Sequence, residues 1–255
     1  MTEGLGLWAY GVLDGDVVGP STPLGVDPAH EVELIRHVGL AVIVSPVPLD
    51  DFGERSLHES LEDLDRLEIL ARVHNEVLRE ALRQGAVVPF RICTIFESAA
   101  GVKEMLARQR SRLTAALQRL QGRAEWGVKA YAVGGASHGA GGSEPASGTD
   151  YLRQKLADRN AVVMTQQALD TAVETLHARL RERAADAVLN PPHHRELSGP
   201  TKEMVLNAAY LVADVDADGF GALVADLARR HRSDGLELEL TGPWPAYNFS
   251  EPVEP

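Results

Sequence analysis

Cysteine is nearly absent from this 255-residue chain: Cys93 is alone, so no intrachain disulfide can form and nothing points to an oxidising compartment. Long hydrophobic runs are missing too. The longest apolar stretch, Val38 to Leu49, holds two prolines and is too short to span a bilayer. Basic residues are the minority, 25 Lys and Arg against 37 Asp and Glu, for a net charge of -12. That balance argues against general phosphate-backbone binding, which needs clustered cations, and favours a neutral, apolar or locally basic partner. Met1-Thr2-Glu3-Gly4-Leu5 carries an acid and no basic n-region, so no signal peptide is expected and the protein is expected to be cytoplasmic. Aromatics are scarce as well, at 5%. Their clustering near the C-terminus is therefore informative.

Catalytic and metal motifs are equally thin. Asp214-Val215-Asp216-Ala217-Asp218-Gly219 imitates the opening of an EF-hand loop, but the twelfth place is Ala225 and the closing bidentate carboxylate is missing. The simpler reading is an acidic turn with Asp218 capping the next helix. His193-His194 has no further ligand at metal spacing, and His74, on an apolar helical stripe, reads as a core histidine. Cys93 reads as a small buried hydrophobe rather than a nucleophile. The glycines of 139–142 sit in no phosphate-binding motif, and neither a Gly-x-Ser-x-Gly elbow nor a His-Glu-x-x-His helix occurs. No catalytic residue, cofactor or metal is expected.

What the chain does have is periodicity. Leu7–Leu13 reads as a strand, followed by strand-like runs around Glu31–Arg36 and Leu40–Pro46, the second nearly all apolar and therefore central. An apolar stripe from Leu61 to Gln84 predicts a helix, and Ala86–Ile92 a strand that Pro89 confines to an edge or bulge. Ser98 is placed to cap a helix over Ala99–Leu120. Strand character returns at Glu125–Val133, and the Gly/Ala-rich 134–148 reads as a flexible loop. Helical spacing runs from Asp150 to Val188; unbroken, it would be roughly 55–60 Å long at 1.5 Å per residue, so it breaks near Asn160 or projects. Strands at His194–Ser198 and Met204–Val212, a helix over Gly221–His231 and a strand at Leu236–Leu240 complete the set.

From Trp126 onward the order is strand, helix, strand, strand, helix, strand, the split βαβ or ferredoxin-like sequence of elements. The fold class is therefore α+β with two domains. An N-terminal α/β unit covers 1–122, a ferredoxin-like βαββαβ domain 123–243, and a Pro/aromatic tail 244–255. Pro243 and Pro245 stiffen that tail and remove two backbone donors, so Trp244, Tyr247 and Phe249 must bury against the protein's own core or against a partner. The core reading has the tail seal a groove between domains. The partner reading makes Trp244, Tyr247 and Phe249, with Leu169 and Leu176 of the long helix, the docking residues.

Several segments in order carry a resemblance. They are Trp8-Ala9-Tyr10-Gly11-Val12, His74-Asn75-Glu76-Val77-Leu78, Val88-Pro89-Phe90-Arg91 with Thr94-Ile95-Phe96, and Glu125-Trp126-Gly127-Val128-Lys129. Gly148-Thr149-Asp150-Tyr151-Leu152, Asn207-Ala208-Ala209-Tyr210-Leu211-Val212 and Leu240-Thr241-Gly242-Pro243-Trp244-Pro245-Ala246-Tyr247-Asn248-Phe249 follow. With these the chain resembles the gas vesicle proteins of the F and L type (GvpF/GvpL). It departs where the family usually shows Phe-Gly and this chain has Ile92-Cys93. The resemblance implies two α+β domains, one ferredoxin-like, with a C-terminal tail. It also implies a non-catalytic structural or assembly role in the gas vesicle, with contacts to the hydrophobic main shell protein and other accessory proteins. The rival reading is a small-molecule-binding or enzymatic ferredoxin-like protein.

Overall fold

A computed structural model describes residues 4–19, 24–53, 64–133, 166–191, 202–251 and 253. It divides into two compact units, Met1–Glu125 with Gly242–Pro255, and Trp126–Thr241. The tail groups with the N-terminal residues, although the chain reaches it last.

The first unit is built on β1 (Leu5–Asp14), β2 (Glu33–His37), β3 (Leu40–Pro48), β4 (Val88–Pro89) and β5 (Ile95–Phe96). The sheet order is β2-β3-β1-β4, with β5 also pairing β1. β1 runs antiparallel to β3 from Leu5↔Pro48 to Asp14↔Leu40, with a register shift between Ala9 and Gly11. Tyr10 is the extra residue at that shift, and bulges of this kind re-aim a side chain. β1 and β3 are buried along most of their length, which explains their nearly unbroken apolar sequence. Pro89 lies on the terminal strand of the sheet order, where its missing N–H removes no ladder bond.

After the short turn α1 (Leu49–Phe52), α2 (Leu64–Leu82) lays Leu70, His74, Val77, Leu78 and Ala81 against Trp8, Tyr10, Leu13 and Ile43. Helix α3 (Ala99–Leu120) packs across β1, β2 and β3. Its start is where the sequence puts it: the Ser98 side chain accepts the Gly101 N–H at 3.3 Å. Of its expected inward stripe, Val102, Met105, Leu106, Leu113, Leu117 and Leu120 are buried and Ala116 is half-buried.

The second unit holds β6 (Arg123–Val133), helix α4 (described over 166–181), β7 (Asp186–Leu189), β8 (Lys202–Ala213), α5 (Ala217–His231) and β9 (Leu236–Trp244). The ends of β6 and β9 belong to the first unit. The sheet order is β7-β8-β6-β9. Both helices pack on one face: Leu176, Leu180, Phe220, Val224 and Leu227 share a core with Leu206, Ala208, Tyr210 and Val212. The strand residues of that set are two apart, the spacing of one face of β8.

Three boundaries correct the sequence reading. Val188 is not helical. α4 is described as far as 181, and Asp186–Leu189 pairs antiparallel with Leu211–Ala208. Periodicity missed this because a strand of four residues carries too little alternation to compete with the helical phase before it. Asp214–Asp216 forms a 3-10 turn and α5 begins at Ala217, so Asp218 sits in the first turn and is not the cap. Its carboxylate there still favours the positive end of the helix dipole. Lastly, β9 runs on through Pro243 to Trp244, which the last position in the sheet order permits. The expected loop at 134–148, the helix start at 150–165 and the strand at His194–Ser198 lie outside the described residues.

Candidate functional site: the aromatic tail on the first unit

The tail is held by polar contacts that a Pro-rich segment cannot obtain from a ladder. Burial takes Glu125 out of water, and both its carboxylate oxygens accept from Asn248: the backbone N–H at 2.8 Å and the side-chain amide at 2.6 Å. Burial pushes the Glu125 carboxyl upward, and the two Asn248 donors pull it part of the way back. The Tyr247 hydroxyl donates to Asn75 Oδ1 on α2 at 3.0 Å. Burial, and after it the charge of Glu125, holds that hydroxyl well above the ordinary phenol range. Arg119 donates to the Phe249 carbonyl at 3.3 Å, and Arg112 meets the Glu251 carboxylate at 3.0 Å. Ala246, Phe249 and Val253 are buried, and Tyr247 packs on the core beneath α2.

Trp244 is different. It is half-buried, with the Arg79 guanidinium 5.5 Å from its ring centroid. The two stand over a groove of about 380 Å³ lined also by Arg72, Asn75, Glu76, Glu80 and Arg83. Of the aromatics expected to dock a partner, then, Trp244 and Tyr247 are both half-buried, but Trp244 lines the groove while Tyr247 packs on the core, and Phe249 is inside. In the second unit Leu169 is half-buried on α4, while Leu176 is fully buried in the core. Leu176 has no surface to offer a partner in this fold, because it lies on the inward stripe of its helix.

Sequence reasoning missed Asn75, Arg79, Glu125 and Asn248. Asn75, Glu125 and Asn248 stand inside segments that carried the resemblance, His74–Leu78, Glu125–Lys129 and Leu240–Phe249. The signal was a polar residue embedded in each of these segments, and only contact across the chain gives it a partner.

Beneath the tail is a buried polar network. Trp8 Nε1 donates to His74 Nδ1 at 3.0 Å, Tyr10 stacks on the His74 ring, and the Tyr10 hydroxyl meets Ser45 Oγ at 2.8 Å while accepting the Val26 N–H at 2.9 Å. Accepting from Trp8 requires a bare Nδ1, so the neutral ring carries its proton on Nε2. Burial pulls the His74 pKa down to about 4. Gly25 allows the backbone this close: a Cβ there would collide with Ser45 Oγ. Cys93 is half-buried and adopts φ 66°, the left-handed conformation that glycine favours. Cys93 thus stands in a backbone conformation that suits Gly. Among the described residues, no group of three or more His, Cys, Asp or Glu could hold a metal ion.

The family model described as gas vesicle synthesis protein GvpL/GvpF matches residues 6–251. The chain belongs to the GvpL/GvpF family. Gas vesicle protein L of Streptomyces sp. (strain CB03234) is 37% identical over 222 residues, 85% of this chain and 82% of that protein. Gas vesicle protein F of the same strain is 28% identical over 88% of this chain and 90% of its own length. Gas vesicle protein F2 of Halobacterium salinarum (strain ATCC 700922 / JCM 11081 / NRC-1) is 26% identical over 95% of this chain and 91% of its own. The crystal structure of GvpF from Anabaena sp. PCC7120 superposes with a TM-score of 0.68 at 18% identity, covering 97% of this chain and 96% of that one. GvpF from Microcystis aeruginosa gives 0.66 at 15%, covering 96% and 99%. The GvpF structures share the mixed fold of helices with two antiparallel sheets. Among the described residues of this GvpL/GvpF protein, no helix is long and apolar enough to cross a membrane.

Proposed function

We propose that this protein is a minor structural or assembly component of the gas vesicle, working in the cytoplasm and without catalysis. It binds the hydrophobic main shell protein and other accessory proteins while the vesicle forms. The observation that carries this reading is the family match across residues 6–251. Trp244 is the contact residue on the first unit, held in place by Tyr247 and Phe249 behind it. Leu169 is the contact residue on α4, positioned by the buried Leu176.

The second unit is read as a ferredoxin-like domain. Its order of elements and the sheet order β7-β8-β6-β9 support that reading. The units Met1–Glu125 with Gly242–Pro255, and Trp126–Thr241, are taken as the domains. Identity of 37% to an L-type protein against 28% to an F-type protein of the same strain favours the L type.

The test is capture of purified main shell protein by the full chain, beside a thermal-shift screen of metabolites. Capture by the wild type that falls at least tenfold in Trp244→Ala, with melting preserved, is the expected result. Stabilisation by a metabolite without any capture of shell protein would overturn the reading in favour of a small-molecule-binding or enzymatic protein.

A further inference from the structure

We propose that the groove beside Trp244 is a carboxylate-recognition site that docks an acidic amphipathic helix of a partner protein. The proposal deepens the partner-binding role given to Trp244 and rests on it.

The arginines of α2 and those beneath the tail divide into two groups. Arg83 pairs with Glu80, Arg66 reaches the Asp51 carbonyl, Arg112 meets Glu251, and Arg119 holds the Phe249 carbonyl. Arg72 and Arg79 have no hydrogen bond or ion pair among the described residues; Arg79 has only the Trp244 ring. A ring fixes the plane of a guanidinium without consuming any of its N–H donors, which leaves the carboxylate-matching fork free. Between them stands Asn75, whose Oδ1 is occupied by the Tyr247 hydroxyl, so that its amide N–H₂ is the group left to donate.

Spacing selects the ligand. Arg72 and Arg79 are two turns apart on one side of α2, about 10 Å along its axis. A partner helix with two carboxylates at the same separation meets both forks at once. Its apolar face has the exposed part of the Trp244 ring to cover, and Trp and Arg are both enriched at interface hot spots. The groove also contains Glu76, which has no partner of its own among the described residues. That carboxylate, on a chain of net charge -12, works against polyphosphates and nucleic acid while leaving room for a pair of single charges. Charge complementarity therefore commits the site to an acidic protein segment.

The full chain is titrated with two synthetic amphipathic helical peptides by fluorescence anisotropy. Both carry leucines on one face; one has Glu pairs at the Arg72–Arg79 separation and the other has Gln in their place. The Glu peptide is expected to bind at least tenfold more tightly, to weaken as salt rises, and to shift the Trp244 indole N–H resonance. Arg72→Glu with Arg79→Glu abolishes its binding, and Arg79→Lys, which keeps charge but loses the fork, weakens it. Equal binding of both peptides, or unchanged binding by the doubly reversed variant, overturns the site. Should Arg79→Glu release the tail and unfold, Arg72→Glu alone decides, because Arg72 makes no contact that holds Trp244. Sedimentation covers the remaining occupant: a dimer of the wild type that Arg72→Glu dissociates makes a second copy the ligand and overturns the partner assignment. Shell protein captured equally by wild type and the doubly reversed variant sinks this groove and leaves the proposed function standing. Failure of the wild type to capture shell protein sinks that function whatever the peptides do.

Discussion

The two units bury polar groups on different terms. In the first, Trp8, His74, Tyr10 and Ser45 are each 1% exposed or less and depend on one another for hydrogen bonds. In the second, the matching feature is Tyr210, fully buried with its hydroxyl 2.8 Å from Nδ1 of a half-buried His177. Water can replace a lost partner at His177 and cannot do so at His74. The first unit therefore tolerates fewer single changes, since an orphaned buried donor costs its whole desolvation.

The severest challenge to that contrast is Trp8→Ala. It removes a fully buried ring and the donor to His74, and should cost about 3–5 kcal/mol. Hydrogen exchange should show the loss across β1, β3 and α2, with β6 and β8 unchanged; uniform loss across both units would erase the distinction. Acid comes next. His74 is neutral in the folded state down to about pH 4, whereas its unfolded counterpart protonates below about 6.5. Stability from this residue is thus complete above the unfolded value and falls as pH drops through that window, by roughly 3 kcal/mol in all. The raised Glu125 carboxyl acts in the opposite sense, giving stability at low pH that is lost as pH rises through its folded value. Urea unfolding of wild type and Glu125→Gln between about pH 7 and 4.5 separates the two contributions. In the Gln variant the acid loss should be steeper.

The same substitution can then be made in both units. Tyr10→Phe leaves the Val26 N–H without an acceptor and should cost about 1–3 kcal/mol. Tyr210→Phe leaves only a half-buried imidazole and should cost about 1 kcal/mol or less. Equal costs in chemical denaturation would show that burial of the partner does not matter here. The smallest expected change is a gain: Cys93→Gly relieves the positive φ and should add about 1 kcal/mol. A thermal melt checks it, and a lower Tm would mean that the Cys93 side chain packs better than its backbone suffers.

Much of the architecture was legible because it depends on local chemistry. Ser98 ahead of an apolar stripe specifies where α3 starts, and Leu236, Leu238 and Leu240 mark one face of β9. The candidate site was legible only in part. One aromatic of each kind between 244 and 249, beside two prolines, announces a segment that must be covered. Nothing in that spacing names Glu125, Asn75 or Arg79 as what holds it. The strand at Asp186–Leu189 was hidden for the same reason: its evidence is the ladder to β8, which is not a local property.

The family, the α+β class, the capped helix and the need to bury the tail's rings all come from the order of residues alone. They follow from periodicity, capping chemistry and the poor solvation of apolar surface, each readable within a few neighbouring residues. Tertiary contact is what joins the tail to the first unit, sets a half-buried Trp244 in one groove with Arg72 and Arg79, and puts Leu176 in the core. Each of those outcomes depends on which groups distant in sequence meet in space, and a buried carboxylate such as Glu125 acquires its donors only there.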